Sequence, residues 1–167
     1  MGKIIFSAFI ALFSVSLSAQ SLDLNNLYYS YKGEDGVVAM RIPGFVMRLA
    51  GSIADLEREE KQLLRSMKSL QLIVIEDSEI NREVNFVEHV DLHDLRNGYH
   101  LLLQVKDGKD DVAILAREKK GRIKDLVVLV GGDENVMVHI KGRMDADLLG
   151  SLANVAGIEE LKYTKEI

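Results

Sequence analysis

Blocks of apolar and polar residues follow one another along the chain and predict a mixture of strands and helices. Val37 to Ile42 is a short β-branched run between the turn-like Gly33 to Gly36 and the pair Pro43-Gly44, so we expect a strand there. Leu70 to Ile75 is almost wholly apolar, which is typical of a strand that is covered on both faces. We therefore expect this second strand to be central in the sheet.

The segment between these two strands has the periodicity of a helix. Its apolar residues at helical spacing are Phe45, Leu49, Ile53, Leu56, Leu63 and Met67. Glu57 and Lys61 stand one turn apart and belong to the exposed side. We expect Gly51 to divide the segment into two helices that bury the apolar stripe.

Residues 78 to 95 fit two descriptions. The residues that suit a helix are Phe86, Val87, Val90 and Leu95. The residues that alternate as in a strand are Val84, Phe86, Val90 and Leu92. The helix is favoured, ending at Asn97-Gly98, because these residue types accept the left-handed conformation that stops a helix.

The strand and turn patterns are clearer after this segment. Four strand-like runs follow, and they are Tyr99 to Val105, Val112 to Arg117, Ile123 to Val130 and Val136 to Lys141. Turn compositions separate these runs, so we expect an antiparallel meander. Asp145 is expected to cap a last helix that runs to about Ala153, and Ile158 to Thr164 is expected to return as a terminal strand.

A modest internal repeat bears on the fold class. Val37 to Asp55 and Val136 to Asn154 can be superposed without gaps as strand, breaker and helix. Two βαβ halves that share one sheet would explain the similarity, and chance resemblance between two strand-to-helix units is the competing explanation. The predicted fold class is α+β, a mainly antiparallel sheet with helices packed on it, ferredoxin-like with extra strands.

The N-terminal residues have the pattern of a targeting sequence. Lys3 precedes an apolar stretch from Ile4 to Val15, and small residues follow up to Ala19, which is the layout of a signal peptide. The stretch has about twelve residues, whereas roughly twenty are needed to span a bilayer, so no stable membrane anchor is expected. We predict a signal peptide at residues 1–20, a single α+β domain at residues 21–167, and a periplasmic or secreted protein.

Composition excludes several classes of function. The formal net charge is −5 at pH 7, and basic and acidic residues interleave, as in Asp55 to Lys68. A nucleic-acid-binding protein concentrates Lys and Arg on one face, so no nucleic-acid partner is expected. The chain has no cysteine, which excludes disulfides, thiolate nucleophiles and Cys-ligated metals.

The most suggestive cluster for chemistry is Glu88 to Asp94. His89 and His93 would stand one turn apart on a helix, and His89, Asp91 and His93 would share one face of a strand, so either geometry permits metal ligation. The signal lacks a third ligand at diagnostic spacing, and a solvated polar helix face explains the same residues. We therefore expect no metal site, no cofactor and no catalytic residue.

Other polar and aromatic residues have structural interpretations. Asp107 to Asp111 lacks the alternating ligands of a calcium loop and Gly131 to Asp133 lacks the rest of a phosphate loop, so both are expected to be turns. His139 lies in an apolar run and is expected to be a half-buried structural histidine. The stripe Tyr28, Tyr29 and Tyr31 is expected to dock the leading segment onto the core.

The order of these segments resembles a known family. The segments that carry the resemblance are the signal peptide, Val37 to Leu49, Tyr99 to Lys106, Gly121 to Val130 and Gly142 to Asp145. They are similar to the domain-of-unknown-function 4252 proteins, small exported proteins of Bacteroidota, over essentially the whole mature chain. The resemblance implies no known activity and a link to extracytoplasmic-function sigma factors and anti-sigma factors. Many members carry a lipobox cysteine, which this chain lacks.

These observations lead to a functional expectation. We expect an exported non-enzymatic binding or interaction module of the cell envelope, linked to envelope stress or to sigma and anti-sigma signalling, with a protein partner or self-association. The alternatives are a small periplasmic hydrolase or metal-dependent enzyme that uses the His89, Asp91 and His93 region, and a small-ligand carrier that binds on an open sheet face.

Strand parity locates the expected interaction surface. In the meander, Tyr99 is expected to share one face with Leu101, Leu103 and Val105, and Ile123 to share one side of its strand with Val127. The apolar residues of opposite parity are Leu102, Leu115, Val128 and Val130. We expect these four to lie on a common, partly exposed surface that needs a cover.

Overall fold

The protein is described by a computed structural model over residues 24–76, 79–80, 84–92, 95 and 98–145. The helices are α1 (Leu24–Tyr31), α2 (Gly44–Ile53) and α3 (Arg58–Ser66), and the strands are β1 (Val37–Pro43), β2 (Met67–Ile75), β3 (Tyr99–Asp107), β4 (Asp110–Glu118), β5 (Ile123–Gly131) and β6 (Asn135–Met144). All six predicted strand segments of this part of the chain are confirmed. The predicted signal peptide, the last helix and the terminal strand lie outside the described residues.

The strands form one open antiparallel sheet of six strands in the order β1-β2-β6-β5-β4-β3. The β3 to β6 meander is confirmed, and β2 is an interior strand that pairs with β1 and β6. The fold is therefore α+β with a mainly antiparallel sheet. Because β1 and β2 are direct antiparallel neighbours, they do not form the parallel strands of a βαβ unit. The helical part of the second half of the suggested repeat, residues 146–154, lies outside the described residues.

Each face of the sheet is covered by different parts of the chain. On one face, which we call the helix face, Met47 of α2 and Leu63 of α3 pack on Leu126, Ile140 and other apolar residues of the strands. On the other face, which we call the crossover face, α1 and the connection between β2 and β3 cover the sheet. The buried residues that form this second cluster include Leu24, Tyr28, Phe86, Val87, Ile73, Val127 and Met137.

Helix α2 buries a side that differs from the predicted stripe. The side of α2 that faces inward carries Gly44, Met47 and Gly51. A Cβ on Gly44 would lie 2.7 Å from the backbone oxygens of Met67 and Lys68, so only glycine allows this approach. Of the predicted stripe, the three residues of α2 are exposed, with 63% for Phe45, 59% for Leu49 and 78% for Ile53, whereas Leu63 and Met67 are buried as predicted.

The break between α2 and α3 also differs from the prediction. Gly51 lies inside α2, and the helices separate at residues 54–57. Glu57 and Glu60 form a reciprocal capping box that starts α3, in which the Glu57 backbone N–H donates to the Glu60 carboxylate at 2.9 Å. A capping box satisfies backbone donors at a helix start, and this fixes the boundary more strongly than a glycine does.

The segment before β3 is not the predicted continuous helix. Its described residues from 84 to 92 form turns and irregular backbone. Asn135 accepts a hydrogen bond from the Phe86 backbone at 2.8 Å and donates one to the Val84 carbonyl at 2.8 Å. Asn85 accepts hydrogen bonds from the backbone N–H groups of Val87 and Glu88 at 2.9 and 3.1 Å. Side-chain amides thus take over the backbone partners that a helix would supply.

Two β-bulges correct the parity predictions. The register of β3 shifts between Leu101 and Leu103, and that of β5 shifts between Ile123 and Asp125. An extra residue moves every later side chain to the opposite face. Ile123, Val128 and Val130 accordingly contact the helix-face cluster, whereas Val127 is buried in the crossover-face cluster. Leu102 also contacts the helix-face cluster, but Leu115 pairs with Val127 and is buried on the crossover face, so the four predicted residues do not share one surface.

Candidate functional site

A row of six valines crosses the whole helix face of the sheet. The register pairs Val38 with Val74, Val74 with Val136, Val136 with Val130, Val130 with Val112, and Val112 with Val105. Directly paired residues lie on the same face of a sheet, so each strand contributes one valine. All six are partly or largely exposed, up to 59% for Val38 and 39% for Val105 at the two edges. We call this set the valine row.

A second apolar row lies behind the valine row, towards the helices. Its members are Met40, Leu72, Val138, Val128, Ile114 and Leu103, again one from each strand. Val128 and Ile114 in this row are buried, whereas Met40 at the β1 edge is 42% exposed. Helices α2 and α3 pack near Met67 and Met144, at the opposite end of the strands. The helix face is therefore covered at one end and open along the valine row.

The crossover face carries a line of polar side chains across its middle, which we call the polar row. Its members are Tyr99, Arg117, Asp125, His139 and Gln71. Asp125 accepts a hydrogen bond from Arg117 Nε at 2.8 Å and a second from the Arg117 Nη2 group. Its other oxygen lies 3.0 Å from His139 Nε2, and the guanidinium of Arg117 lies 5.4 Å from the centre of the Tyr99 ring.

The environment of the polar row sets its protonation. Burial alone would raise the pKa of the Asp125 carboxyl, but hydrogen bonds from His139 and Arg117 outweigh it and hold that pKa below its ordinary value. Burial, followed by the charge of Asp125, raises the pKa of Tyr99 to about 12. Asp125 is thus held as a carboxylate and Tyr99 as a neutral phenol at ordinary pH.

The polar row does not form a nucleophile-activating site in the described part of the chain. His139 Nδ1 and Gln71 Nε2 are buried and meet no hydrogen-bond partner among the residues that the structure describes. A general base must contact the hydroxyl that it activates, and His139 touches only Asp125 through its other nitrogen. The sequence interpretation of His139 as structural fits this geometry, although the residue is buried rather than half-buried.

Two members of the candidate metal cluster, His89 and Asp91, lie in the described part of the chain. His89 and Asp91 are exposed in the irregular segment before β3, and His93 lies outside the described residues. Within residues 24–145, apart from the undescribed positions, no group of three His, Asp or Glu side chains could hold a metal ion. His89 and Asp91 are therefore assigned no role in catalysis or metal binding.

The remaining sequence interpretations concern turns and aromatic residues. Gly108 and Gly132, both at positive φ, lie in the turns that join β3 to β4 and β5 to β6, as predicted. Tyr28 is buried, and Tyr31 packs against Phe86 with 5.6 Å between ring centres, so both dock α1 onto the crossover face. Tyr29 departs from the prediction because it is 58% exposed.

The valine row is not predicted by the sequence pattern. Each strand segment contains several apolar residues, and their alignment depends on register and on the bulges, which parity alone does not provide. The sequence did indicate that the residues on both faces of the meander strands are apolar, and this predicted a second face in need of cover.

Comparison with known proteins places the chain in a family. Among the helices of the described residues, none is both long and apolar enough to cross a membrane. No curated protein and no solved structure matches the chain. Residues 29–152 match a family that is described as Domain of unknown function (DUF4252), and this match covers most of the chain. The chain therefore belongs to the DUF4252 family.

Proposed function

We propose that this chain is an exported, non-enzymatic interaction module of the cell envelope that associates with a second copy of itself through the valine row. The observation that carries the proposal is the alignment of six partly exposed valines, one from each strand, across an otherwise packed sheet. An apolar surface of this extent is costly to leave in water and is typical of an interaction site.

The chemistry of the row favours a second copy over a different partner. The six positions carry the same β-branched side chain and no charge, so the surface is complementary to itself. A twofold axis brings the same patch of each subunit together, which is the commonest arrangement in homo-oligomers. Two sheets packed face to face lie about 10 Å apart and interdigitate side chains of this size.

The dimensions of the row set the strength of the association. Six strands at about 4.8 Å spacing make a row roughly 24 Å long. Even with part of the second row, such a footprint is smaller than the roughly 800 Å² per partner of a standard stable interface. The dimer is accordingly one of moderate affinity, with a dissociation constant on the order of micromolar.

The envelope location and the signalling link are part of the same proposal. Support for export comes from Lys3, the apolar stretch from Ile4 to Val15 and the small residues that follow. Support for a role beside sigma and anti-sigma factors comes from the family resemblance. A module that changes its oligomeric state with concentration suits reporting on the envelope, because mass action couples its association to its abundance.

Sedimentation equilibrium over a range of concentrations tests the proposed association. Wild-type protein is expected to shift from monomer to dimer as its concentration rises, and Val38→Lys at the β1 edge is expected to shift that transition to higher concentration. Cell fractionation tests the location, with recovery of a processed chain from the envelope expected. An intact Met1 on cytoplasmic protein would contradict the export part alone.

A further inference from the structure

A second feature of the fold is a pocket whose charged lining is entirely basic. The cavity has a volume of about 680 Å³ and is lined by Lys68, Lys119, Lys120, Arg122, Lys124, Gly142 and Arg143. We call it the basic pocket. The chain as a whole has a formal charge of −5, so this concentration of cations departs from the overall balance. The residues come from β2, β5, β6 and the turn between β4 and β5, and the sequence alone does not bring them together.

Two β-bulges build opposite sides of the basic pocket. The register of β2 shifts between Met67 and Ser69, which leaves Lys68 as the extra residue. In the pairing of β5 with β4, Arg117 pairs with Asp125 and Glu118 with Ile123, which leaves Lys124 as the extra residue of β5. Both strands flank β6, so the two bulged lysines stand on either side of it. Bulges redirect side chains and are enriched beside functional sites.

Gly142 of β6 brings the backbone of β6 close to the end of α3 and the start of β2. A Cβ at this position would lie 2.4 Å from the Ser66 carbonyl oxygen, so a side chain would push the end of α3 away. Glycine thus holds the start of β2, and with it Lys68, close to β6. The close packing of backbone beneath the cations makes the pocket a defined part of the fold.

The turn between β4 and β5 is strained at the residue that it presents to the pocket. Lys120 has φ of 56° and is followed by Gly121 with φ of 69°, and the Lys119 backbone N–H donates to the Arg122 carbonyl at 2.9 Å. Positive φ at both central positions is the turn geometry that favours Asn-Gly. Lysine in the first of these positions has a conformational cost, and such strain concentrates at functional sites.

The cations of the pocket are only slightly neutralised by protein carboxylates. Arg122 lies 3.1 Å from Asp145, and both side chains are about half exposed. In the described part of the chain, the remaining five cations of the lining form no ion pair. Desolvation, followed by repulsion from Arg143, Lys68, Arg122 and Lys119, lowers the pKa of Lys124. A bound anion would relieve the mutual repulsion between the cations of the pocket.

We propose that the basic pocket binds a ligand that carries two or more phosphate groups. Lys and Arg are the side chains that bind phosphate oxygens through charge-assisted hydrogen bonds. The volume lies in the range of small-molecule sites and exceeds what one inorganic phosphate fills, so several cations can act together on a multiply charged ligand.

Phosphate chemistry of this kind can come from a soluble compound or from the headgroups of a lipid. Helix α2 exposes Phe45, Leu49 and Ile53, and its first residue packs against Met67 and Lys68, beside the pocket. Exposed apolar residues next to cations are typical of proteins that rest on an anionic membrane surface. The experiment below therefore has one arm for each source.

The first arm is calorimetric titration of the full protein with tripolyphosphate at low and at physiological salt. We expect one-to-one binding that weakens with salt, because added ions screen the attraction. Lys68→Gln combined with Lys124→Gln is expected to weaken binding at least about tenfold, as the loss of two charges near the ligand requires. Lys61→Gln is the matched control, since Lys61 lines a separate basic pocket on α3 with Arg58, Gln62 and Arg65, and its loss reports any binding of the anion there.

A second variant separates binding from folding. Lys120→Asn creates the favoured Asn-Gly turn and is expected to raise the urea midpoint of unfolding while it weakens tripolyphosphate binding several-fold. A variant that merely failed to fold would lower both. Equal losses of affinity in Lys61→Gln and in the double variant, or no binding of tripolyphosphate at low salt, would overturn the proposal.

The second arm is flotation with vesicles of phosphatidylcholine, with or without cardiolipin, an anionic lipid whose headgroup carries two phosphates. Binding to the anionic vesicles that the double lysine variant abolishes identifies a lipid headgroup as the source of the phosphate. Tripolyphosphate binding without vesicle binding identifies a soluble ligand, and the proposal holds in both cases. Vesicle binding that persists in the double variant and is lost in Leu49→Ser would show that α2, rather than the pocket, recognises the membrane, and would count against the pocket.

Discussion

The Oδ1 atom of Asp125 on β5 lies 3.0 Å from Nε2 of His139 on the neighbouring strand β6. Both side chains are 3% exposed, and Asp125 is bound at its other oxygen by Arg117 of β4. Together with Arg117, the contact ties three adjacent strands together within the polar row of the crossover face. Because a buried carboxylate is stable only in one set of partners, the arrangement favours a single register for these strands.

Removal of the Asp125 charge is expected to destabilise the fold. Asp125→Asn keeps the shape and loses the charge-assisted hydrogen bonds, so the free energy of unfolding at neutral pH should fall by about 1–3 kcal/mol. Urea unfolding measures this change. Asp35→Asn, at an exposed position before β1, is the matched control and should leave the midpoint nearly unchanged.

The same variant tests the pH dependence of stability. The folded-state pKa of Asp125 is held below its unfolded value, so its contribution is fully present above about pH 4 and is lost as pH falls through the folded pKa. The difference between wild type and Asp125→Asn should therefore shrink in acid. A difference that stays constant from neutral pH to about pH 2 would show that the carboxylate is not held by its partners.

Tyr99 provides a second titration, at alkaline pH. Its pKa is raised to about 12, so its contribution is present below the unfolded value of about 10 and is lost as pH rises between the two. Phenolate absorbance of the folded protein should show a transition near pH 12 that Tyr99→Phe removes. Tyr29→Phe removes an exposed tyrosine and should leave that transition in place.

Two glycines of α2 provide a packing test within one helix. Gly44→Ala places a Cβ 2.7 Å from backbone oxygens of Met67 and Lys68, which cannot easily move, so a loss of about 1–3 kcal/mol is expected. Gly51→Ala places its Cβ 3.1 Å from Leu64 Cδ1, a side-chain atom that can rotate. Alanine favours a helix interior, so this variant should be nearly neutral or slightly stabilising in thermal unfolding. The opposite ranking would contradict the docking of α2 through its glycines.

The local sequence pattern predicted most secondary-structure elements of this fold. It failed where contacts with residues distant in sequence determine the backbone conformation. The strands of the meander alternate and end at turn residues, so Tyr99 to Lys141 was predicted correctly. The segment around Asn85 was predicted as a helix because its apolar spacing fits one. A contact with Asn135, distant in sequence, gives its backbone other partners.

The candidate surfaces were less predictable than the elements. Parity placed Leu115 with Val128, but the register of β4 and β5 pairs Leu115 with Val127 and so puts it on the opposite face from Val128. The stripe of Phe45, Leu49 and Ile53 follows the helical period, but the period does not say that glycines form the buried side of α2. The basic pocket depends on bulges at Lys68 and Lys124, which have no signature in a single sequence.

A matched pair of variants on β3 distinguishes self-association through the valine row from other modes of association. Val105 and Leu101 are 39% and 37% exposed on the same edge strand. They lie on opposite faces, because Val105 pairs with Val112 of the valine row and Leu101 pairs with Leu115 of the crossover face.

The measurement is sedimentation velocity of wild type, Val105→Lys and Leu101→Lys over the same range of concentrations. Wild-type protein is expected to form a dimer. Val105→Lys should weaken the dimer at least about tenfold, because a charge is desolvated at the interface, whereas Leu101→Lys should leave the dimer intact. Wild-type protein that stays monomeric up to ~0.5 mM, far above a micromolar dissociation constant, would contradict the account, and so would equal behaviour of the two variants.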